Sequence, residues 1–327
     1  MIGRREFITL VSGAVAAWPL TARAQQPVGP VIGYLSLGSP VRDDPTMTAV
    51  RKGLSEMGYV EGRNLAIEAR WARNDFKALP ELAADLVHRR VAVIVSSGTA
   101  APLAAKALTD AIPIVFGAAG DPVQSGLVSD LARPGGNVTG LSVMSSELGA
   151  KRFELLHELL PSAQRFGVLI NPGSPQRESE IGDLRAAAAA IGREIEVFYA
   201  GTEAEITAAF ASLRQKGADA LLISPQFLFG ERRTQIIGLA ARHAVPVIYG
   251  DRLSVEAGGL MSYAPNVSDA YRQVGIYTGR ILKGEKPANL PVMRSTKFEF
   301  VINLQAARVI GIEVPPSLLA LADEVIE

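Results

Sequence analysis

Short apolar runs alternate with helix-like stretches along most of the chain. Between residues 91 and 140, two such runs, 91–95 and 112–116, each end in small residues and lead into a segment with helical spacing. Runs of this length without polar side chains are typical of strands buried on both faces, as in parallel sheets. The pattern therefore predicts β/α units, with an edge strand at 65–71, where apolar and polar residues alternate.

The same pattern restarts after Gly140, so the chain holds two consecutive series of β/α units with a seam near residues 140–149. A length of 327 residues also fits two domains, at about 150 residues each. The polar, proline-bounded segment at 283–291 is predicted to cross back between the two lobes. A last helix is expected from Pro315-Pro316 through Val325.

Small and polar residues stand where two of the predicted buried strands end. Residues 96–99 follow one strand, and Asp121-Pro122 follows the next and is expected to open a helix. In open α/β sheets, ligands bind beyond the carboxyl ends of the strands. Thr99 is suited to cap the helix that begins at Ala100, and the free N–H groups there could hold a carboxylate. The alternative is that Thr99 and Asp121 only cap their helices.

Two acidic residues, Asp121 and Asp251, are both predicted at strand ends, and three roles are open to them. They could perform acid–base catalysis, one of them could pair with the ammonium group of a ligand, or Asp121 could only cap a helix. The chain has no cysteine, and its three histidines are predicted in or at the ends of helices. Ligand pairing is therefore favoured over catalysis. Phe227, which follows Pro225-Gln226 into a loop, is the best candidate for stacking on a ligand.

Charge and composition exclude several classes of protein. Lys plus Arg and Asp plus Glu both number 33, and the first 24 residues hold three Arg and one Glu, so the rest carries two more acidic than basic residues. This balance gives no support for nucleic-acid binding, which needs a basic face. Without cysteine there is no thiolate metal site, and His88, His157 and His243 lack metal-binding spacing. Neither a P-loop nor a serine nucleophile elbow occurs in the sequence.

The N-terminus has the pattern of an export signal. Arg4-Arg5 precede a mostly apolar run that ends at Leu20, and Ala22-Arg23-Ala24 form an A-x-A cleavage site. The paired arginines before Phe7 are similar to a twin-arginine signal. The apolar run is short for a membrane span, which needs about 20 residues, and an uncleaved anchor is the alternative. We therefore predict cleavage after Ala24 and a periplasmic location.

Motifs spread over the mature chain are similar to those of one family of binding proteins. The most specific is Ala132-Arg133-Pro134-Gly135-Gly136-Asn137-Val138-Thr139-Gly140. The others are Gly58 to Asn64, Leu79 to Ala83, Ser97 to Ala101, Asp121-Pro122, Glu256 to Leu260, Lys297 to Glu299 with Val301 to Leu304, and Pro315 to Leu319. With these motifs the chain resembles the tryptophan/tyrosine-type substrate-binding proteins of ABC transporters, whose members have the type I periplasmic-binding fold.

The resemblance implies an α/β fold of two Rossmann-like lobes with parallel sheets, joined by a three-crossover hinge. Lobe 1 would comprise residues 25–142 and about 265–290, and lobe 2 would comprise 143–264 and about 291–327, after a signal peptide at 1–24. A small organic solute, an amino acid or an aromatic or other carboxylate compound, would be captured by hinge closure. The resemblance further implies a monomeric protein that is not an enzyme, holds no cofactor or metal, binds no nucleic acid, and serves an ABC permease in the inner membrane.

Carried over from this fold, the ligand-binding residues fall at strand ends in both lobes. In lobe 1 they are Ser36, Ser39, Gly98, Thr99, Ala100, Asp121 and Pro122, and in lobe 2 they are Asn171, Gln226, Phe227, Asp251 and Tyr263. An amino-acid ligand would place its carboxylate near Thr99, while the acid that faces its ammonium group is left open. The alternatives are an exported small-molecule enzyme that uses Asp121 and Asp251, and a ligand-sensing module of a membrane signalling protein.

Overall fold

Two open α/β sheets organise the molecule in a computed structural model that describes residues 29–40, 44–143 and 145–327, without the side chains of 145–147. The predicted export signal at 1–24 lies outside these residues. Each sheet is apolar on both faces. In the first strand, for example, Ile32 and Tyr34 belong to one buried cluster and Leu35 belongs to another. Burial of both faces explains why the strands inside each sheet are mostly apolar.

The first sheet contains strands β1 (Val31–Ser36), β2 (Ala66–Trp71), β3 (Val93–Ser97), β4 (Ile114–Ala119), β5 (Val138–Ser142) and β11 (Met293–Arg294). Their order across the sheet is β11-β5-β4-β3-β1-β2, and all the pairings are parallel. The predicted edge strand at 65–71 is confirmed as β2. The helices of this lobe are α1 (Pro45–Glu56), α2 (Leu79–His88), α3 (Ala100–Lys106) and α10 (Val267–Leu282).

The second sheet contains β6 (Arg165–Ile170), β7 (Glu194–Tyr199), β8 (Ala220–Ile223), β9 (Val247–Tyr249), β10 (Met261–Pro265), β12 (Phe298–Asn303) and β13 (Glu324–Ile326). Their order is β13-β12-β10-β9-β8-β6-β7, and β10 with β12 is the antiparallel pair among otherwise parallel neighbours. The helices are α4 (Ser145–Leu159), α5 (Arg177–Ala190), α6 (Glu203–Ser212), α7 (Phe227–Glu231), α8 (Arg233–His243), α9 (Arg252–Glu256), α11 (Leu304–Ile310) and α12 (Pro316–Leu321). Within the described ranges, no helix combines the length and the apolar character that crossing a bilayer requires.

The chain passes between the two sheets three times, from β5 to α4, from β10 to α10, and from β11 to β12. The expected fold of two mostly parallel sheets with three crossings is therefore confirmed. Strand β11 pairs with β5, so the first sheet extends to Arg294, a few residues beyond the boundary expected at about 290. We propose that lobe 1 comprises 29–142 and 267–294, and that lobe 2 comprises 145–265 and 298–327.

Helices α1 and α10 pack closely on the first sheet because glycines face each other at their contact. A Cβ atom added to Gly275 of α10 would overlap the carbonyl oxygen of Val50 in α1, and one added to Gly53 would overlap the carbonyl oxygen of Arg272. Only glycine lets the two helix backbones approach this closely. Because α10 begins directly after one of the three crossings, this contact fixes the hinge segment to lobe 1.

Two predicted helices are wrong. The residues after Asp121 form turns, because the Asp121 carboxylate accepts hydrogen bonds from the N–H groups of Val123 and Gln124, and Gly126 then takes a φ of 74°. The last helix ends at Leu321 rather than at residue 325. Asp323 is bound to Phe300 of β12 through both its backbone and its carboxylate, and the residues that follow pair with β12 as β13.

Candidate ligand-binding cleft

The two lobes meet at the carboxyl ends of their strands, where one carboxylate of the second lobe binds two residues of the first. Glu231 ends α7, and its Oε1 accepts a hydrogen bond from the N–H of Ser39 at 2.6 Å. Its Oε2 accepts hydrogen bonds from Ser39 Oγ at 3.3 Å and from Asn74 Nδ2 at 2.6 Å. The cleft between the lobes is therefore closed in this structure.

Thr99 makes a second polar contact between the lobes. Its hydroxyl donates to Gln176 Oε1 at 2.9 Å and accepts from the N–H of Gly120 at 3.2 Å. The prediction that the Thr99 side chain caps α3 is wrong, because the hydroxyl makes no hydrogen bond to that helix. It is committed instead to the closed cleft.

Phe227 adds apolar contact across the cleft. It begins α7 in the second lobe and packs against the buried cluster of the first lobe that includes Leu35 and Phe116. A Cβ atom added to Gly38 would lie 3.0 Å from the Phe227 ring, and one added to Gly98 would lie 3.4 Å from it. The absence of side chains at these glycines therefore makes room for the ring.

The wall of the first lobe contains a buried network of hydroxyl groups. Ser36 and Ser97 end neighbouring strands, and the Ser97 hydroxyl donates to Ser36 Oγ at 3.0 Å. Burial raises the pKa of the nearby Tyr34 to about 12, while Ser97 and Ser36 act in the opposite direction. The phenol is therefore protonated and uncharged at neutral pH.

Asp121 lies half-buried at the end of β4, and its Oδ1 accepts two hydrogen bonds of 2.9 Å from the turn that follows it. The capping alternative for Asp121 is therefore realised, although the capped element is a turn. Its neighbour Pro122 is buried, and Ala100 is half-buried at the start of α3. Contact of these three residues with a ligand stays a prediction.

The wall of the second lobe contains a chain of polar side chains at the ends of β6 and β8. Gln226 Nε2 lies 3.4 Å from both Ser174 Oγ and Ser224 Oγ. The Ser224 hydroxyl donates to Glu180 Oε2 at 2.9 Å. Burial raises the pKa of Glu180, and it outweighs this hydrogen bond and the positive charge of Arg152, which both act to lower the pKa.

Asn171 and Asp251 lie at strand ends of the second lobe, and each organises its own loop. Asn171 Oδ1 accepts from the N–H of Gly173 at 2.9 Å. Asp251 caps α9, since its Oδ1 accepts from the N–H of Ser254 at 2.9 Å and its Oδ2 accepts from the Ser254 hydroxyl at 2.8 Å. Asp251 and Asp121 belong to different lobes, and both carboxylates are engaged in local turns.

Arg152, on α4, is the candidate that the sequence analysis missed. Its side chain is 2% exposed, and its Nε donates to the carbonyl oxygen of Tyr263 at 2.8 Å. The Tyr263 ring stacks on Phe298 with centroids 5.9 Å apart. Burial lowers the pKa of Arg152 to about 10, while Glu180 and Asp251 act in the opposite direction, so the guanidinium is charged at neutral pH. In the sequence, Arg152 stands beside Lys151 and Glu154 on a helix and looks like a solvated position.

Two mostly parallel sheets that close on each other at the carboxyl ends of their strands define a two-lobed binding protein with the type I periplasmic-binding fold. Within the described ranges, no group of three or more His, Asp or Glu residues could hold a metal ion. The sequence profile of the family described as ABC transporter substrate binding protein matches residues 39–326. The chain belongs to this family, which confirms the resemblance seen in its motifs.

Relatives of known ligand or state are similar over most of the chain. A tyrosine-binding protein of Clostridioides difficile is 28% identical over 269 residues, which are 81% of this chain and 77% of that protein. An ABC domain of Streptococcus pneumonia in complex with L-Trp is 26% identical, has a TM-score of 0.83, and aligns over 91% of this chain and 100% of its own. The ligand-free, open structure of a substrate-binding protein with adhesive properties from Clostridium difficile is 27% identical, has a TM-score of 0.65, and aligns over 91% and 99%.

The two structural relatives differ in similarity although identity and coverage are nearly the same for both. The L-Trp complex has the higher TM-score, 0.83 against 0.65 for the open protein. A different angle between otherwise similar lobes reduces the similarity of two whole structures. The higher similarity to the L-Trp complex therefore agrees with the direct contacts that Glu231 and Thr99 make across the cleft.

Proposed function

We propose that this protein captures an aromatic amino acid between its two lobes and delivers it to an ABC permease. The observation that carries the proposal is the closed cleft, whose overall arrangement is closer to the L-Trp complex than to the ligand-free, open protein. Hydroxyl groups of the first lobe and the amide of Gln226 supply polar contacts, and Phe227 supplies an aromatic face. A ligand with a polar and an aromatic part suits this mixture.

The same geometry favours binding over catalysis. The enzyme alternative relies on Asp121 and Asp251 acting together, yet Asp121 binds the turn that follows it in the first lobe and Asp251 caps α9 in the second. An acid and a base that act on one substrate must both reach it within hydrogen-bond distance. The relatives named above are a tyrosine-binding protein, an L-Trp complex and a substrate-binding protein, which also supports a binding function.

Titration of the purified protein with L-Trp, L-Tyr and L-Phe tests the proposal. At a concentration about 100 times its dissociation constant, a ligand that binds only the folded state adds about 2.7 kcal/mol to the free energy of unfolding. We expect at least one of the three to raise the melting temperature and to give a saturable calorimetric isotherm with one site. An aliphatic amino acid such as L-Ala is the control. Absence of binding by all three aromatic amino acids at millimolar concentration would overturn the proposal.

We further propose that residues 1–24 direct export by the twin-arginine route, so that the mature protein begins at Gln25 in the periplasm and meets its permease there as a monomer. The support is the pair Arg4-Arg5 before an apolar run, with Ala22-Arg23-Ala24 as the cleavage site. Replacement of both arginines by lysine is expected to deplete the protein from the periplasmic fraction. Undiminished periplasmic protein would contradict this route and would leave the general secretory route.

A further inference from the structure

A buried guanidinium lies beneath the cleft on the side of the second lobe. Arg152 stands in the middle of α4, which enters the second lobe directly after a crossing from the first. Side chains of a helix lean toward its N-terminus, and for Arg152 this direction leads toward the crossing segments. The Nε hydrogen bond to the carbonyl oxygen of Tyr263 fixes the guanidinium beside β10, close to the end of that strand. The side chain is thus held between α4 and the carboxyl edge of the sheet.

The hydrogen-bonding capacity of this guanidinium is largely unused. It has five N–H donors, and the bond to Tyr263 uses one of them. Among the described residues, no other hydrogen bond of Arg152 and no carboxylate within 4.0 Å of its nitrogens is found. In the described part of the chain, several unpartnered polar atoms are fully enclosed by protein. The terminal nitrogens of Arg152 are not among them, so they keep a small accessible surface. Beside the carboxyl end of β10, four of the five donors are therefore without a protein acceptor in the residues that the structure describes.

The two acidic residues that act electrostatically on Arg152, Glu180 and Asp251, are bound to other groups. Glu180 and Asp251 both exert an electrostatic effect on Arg152, yet both oxygens of Asp251 bind Ser254, and Glu180 Oε2 accepts from the Ser224 hydroxyl. A buried cation with unfilled donors is costly to keep, because it has lost water without gaining acceptors. A group that fills these donors when it binds removes this cost.

We infer that Arg152 binds the carboxylate of the ligand, with its planar guanidinium meeting both carboxylate oxygens. This inference rests on the proposed function and specifies its ligand class. Arginine is the side chain best suited to paired hydrogen bonds with a carboxylate. Glu180 and Asp251 act electrostatically on Arg152, and their negative charge disfavours a second carboxylate on the ligand. The site therefore suits a monocarboxylate that also carries an ammonium group, and it disfavours a dicarboxylate.

The carboxylate of the ligand then lies against the second lobe and not against the first, where the sequence predicted it. The loop at Gly98, Thr99 and Ala100 was expected to bind it, yet the Thr99 hydroxyl is engaged by Gln176 and by the Gly120 N–H. Helix α3, which follows this loop, has seven residues. Arg152 offers a full positive charge and several unfilled donors, whereas the loop offers backbone N–H groups and no charge.

The test compares ligands that differ by one group in wild-type protein and in Arg152→Gln. L-Trp has both charges, tryptamine lacks the carboxylate, and indole-3-propionate lacks the ammonium group. In calorimetric titrations, Arg152→Gln is expected to weaken L-Trp and indole-3-propionate by about 30-fold or more, because a buried charge pair loses one partner. The affinity for tryptamine should stay within about threefold. Equal losses for all three ligands would show that Arg152 only supports the fold and would overturn the inference.

Two further variants keep the test decisive. Arg165→Gln removes an exposed arginine of the same lobe that pairs with Glu194, and it should leave all three affinities unchanged. Ligand-free Arg152→Gln is expected to melt no lower than wild type, because it removes a buried charge whose donors are mostly unfilled. If Arg152→Gln does not fold, Arg152→Lys takes its place. The lysine keeps the charge without the paired geometry, and it should weaken L-Trp while leaving tryptamine unchanged.

A second ligand panel separates this inference from the proposed function. Benzoate, phenylacetate and pyruvate, each with its amide, are compared with the aromatic amino acids by melting temperature. If L-Trp binds wild type and Arg152→Gln equally well, the inference fails and the proposed function stands. A second outcome is that the aromatic amino acids do not bind, whereas the carboxylates raise the melting temperature of wild type. If the amides do not raise it, and the carboxylates do not raise it in Arg152→Gln, the proposed function fails and the inference stands. If neither the aromatic amino acids nor these carboxylates stabilise wild type, both fail.

Discussion

At the scale of single residues, the Thr99 hydroxyl connects the closure of the lobes to the backbone of the first lobe. It donates to Gln176 Oε1 across the cleft and accepts from the N–H of Gly120 at the end of β4. Thr99 is 7% exposed, so water does not readily replace either partner. Removal of this one oxygen should therefore weaken the closed state, and with it the affinity for ligand.

Thr99→Val is expected to weaken ligand binding by roughly 1–3 kcal/mol, because it keeps the shape of the side chain and leaves Gln176 and the Gly120 N–H without their partner. Calorimetric titration with L-Trp measures the change. Thr99→Ser keeps the hydroxyl and is the matched control, with an affinity close to wild type. Equal affinity of the valine variant and wild type would remove Thr99 from the cleft contacts that matter for binding.

Asp121→Ala tests whether this carboxylate has a role beyond its turn. We expect a loss of about 1 kcal/mol in the free energy of unfolding, as for the loss of a capping side chain, and little change in affinity. Asp130→Ala is the control, because Asp130 Oδ1 accepts from the N–H groups of Ala132 and Arg133 in the same way. Denaturant unfolding and titration with L-Trp measure both quantities. A loss of binding of about 2–5 kcal/mol in Asp121→Ala alone would assign the ligand's ammonium group to Asp121.

Residues at strand ends can be located from the sequence, whereas a residue buried by packing between a helix and a sheet cannot. The strand-end position of Ser36, Thr99, Gln226 and Phe227 follows from local pattern, because a parallel sheet brings the ends of its strands to one edge. Arg152 could not be found in this way. Its importance comes from burial between α4 and the sheet, and neighbouring charges on the same helix gave no sign of that burial.

At the scale of elements, the contact between α1 and α10 depends on the absence of two side chains. Gly275→Ala places a methyl group where the carbonyl oxygen of Val50 already lies, so the helices must separate. Overpacking typically costs 1–3 kcal/mol, and we expect a loss in this range or larger. Gly238→Ala in α8 is the control, since a Cβ there meets nothing within 4 Å, and it should add about 0.5–1 kcal/mol by favouring the helix. Unfolding by denaturant measures both, and a neutral Gly275→Ala would contradict this packing.

The two elements that were predicted wrongly share one cause. In each, other hydrogen bonds, in a local turn or to a neighbouring strand, replace those of the expected helix. Apolar residues after Asp121 have helical spacing, but the carboxylate and Gly126 favour turns. Apolar residues after Leu321 join the edge of the second sheet because Asp323 is bound to β12. Long apolar strands and amphipathic helices were predicted well, since burial of whole faces outweighs such local effects.

At the scale of the whole molecule, the number of chain crossings and the small contact between lobes determine how the protein can move. Three short segments join the lobes. Glu231 of the second lobe makes polar contacts with the first, and Thr99 of the first lobe makes one with the second. Lobes connected in this way are expected to open and close as nearly rigid bodies. A ligand that contacts both walls binds the closed state more tightly than the open one, and this difference in affinity shifts the equilibrium toward the closed state.

Small-angle X-ray scattering during a titration with L-Trp tests capture between closing lobes most directly. The account predicts that the radius of gyration falls as ligand is added, in proportion to the occupancy measured by calorimetry, and reaches a constant value at saturation. L-Ala, as a ligand not expected to bind, should leave the scattering profile unchanged. A profile that stays the same from zero to full occupancy by L-Trp would contradict closure of the lobes on their ligand.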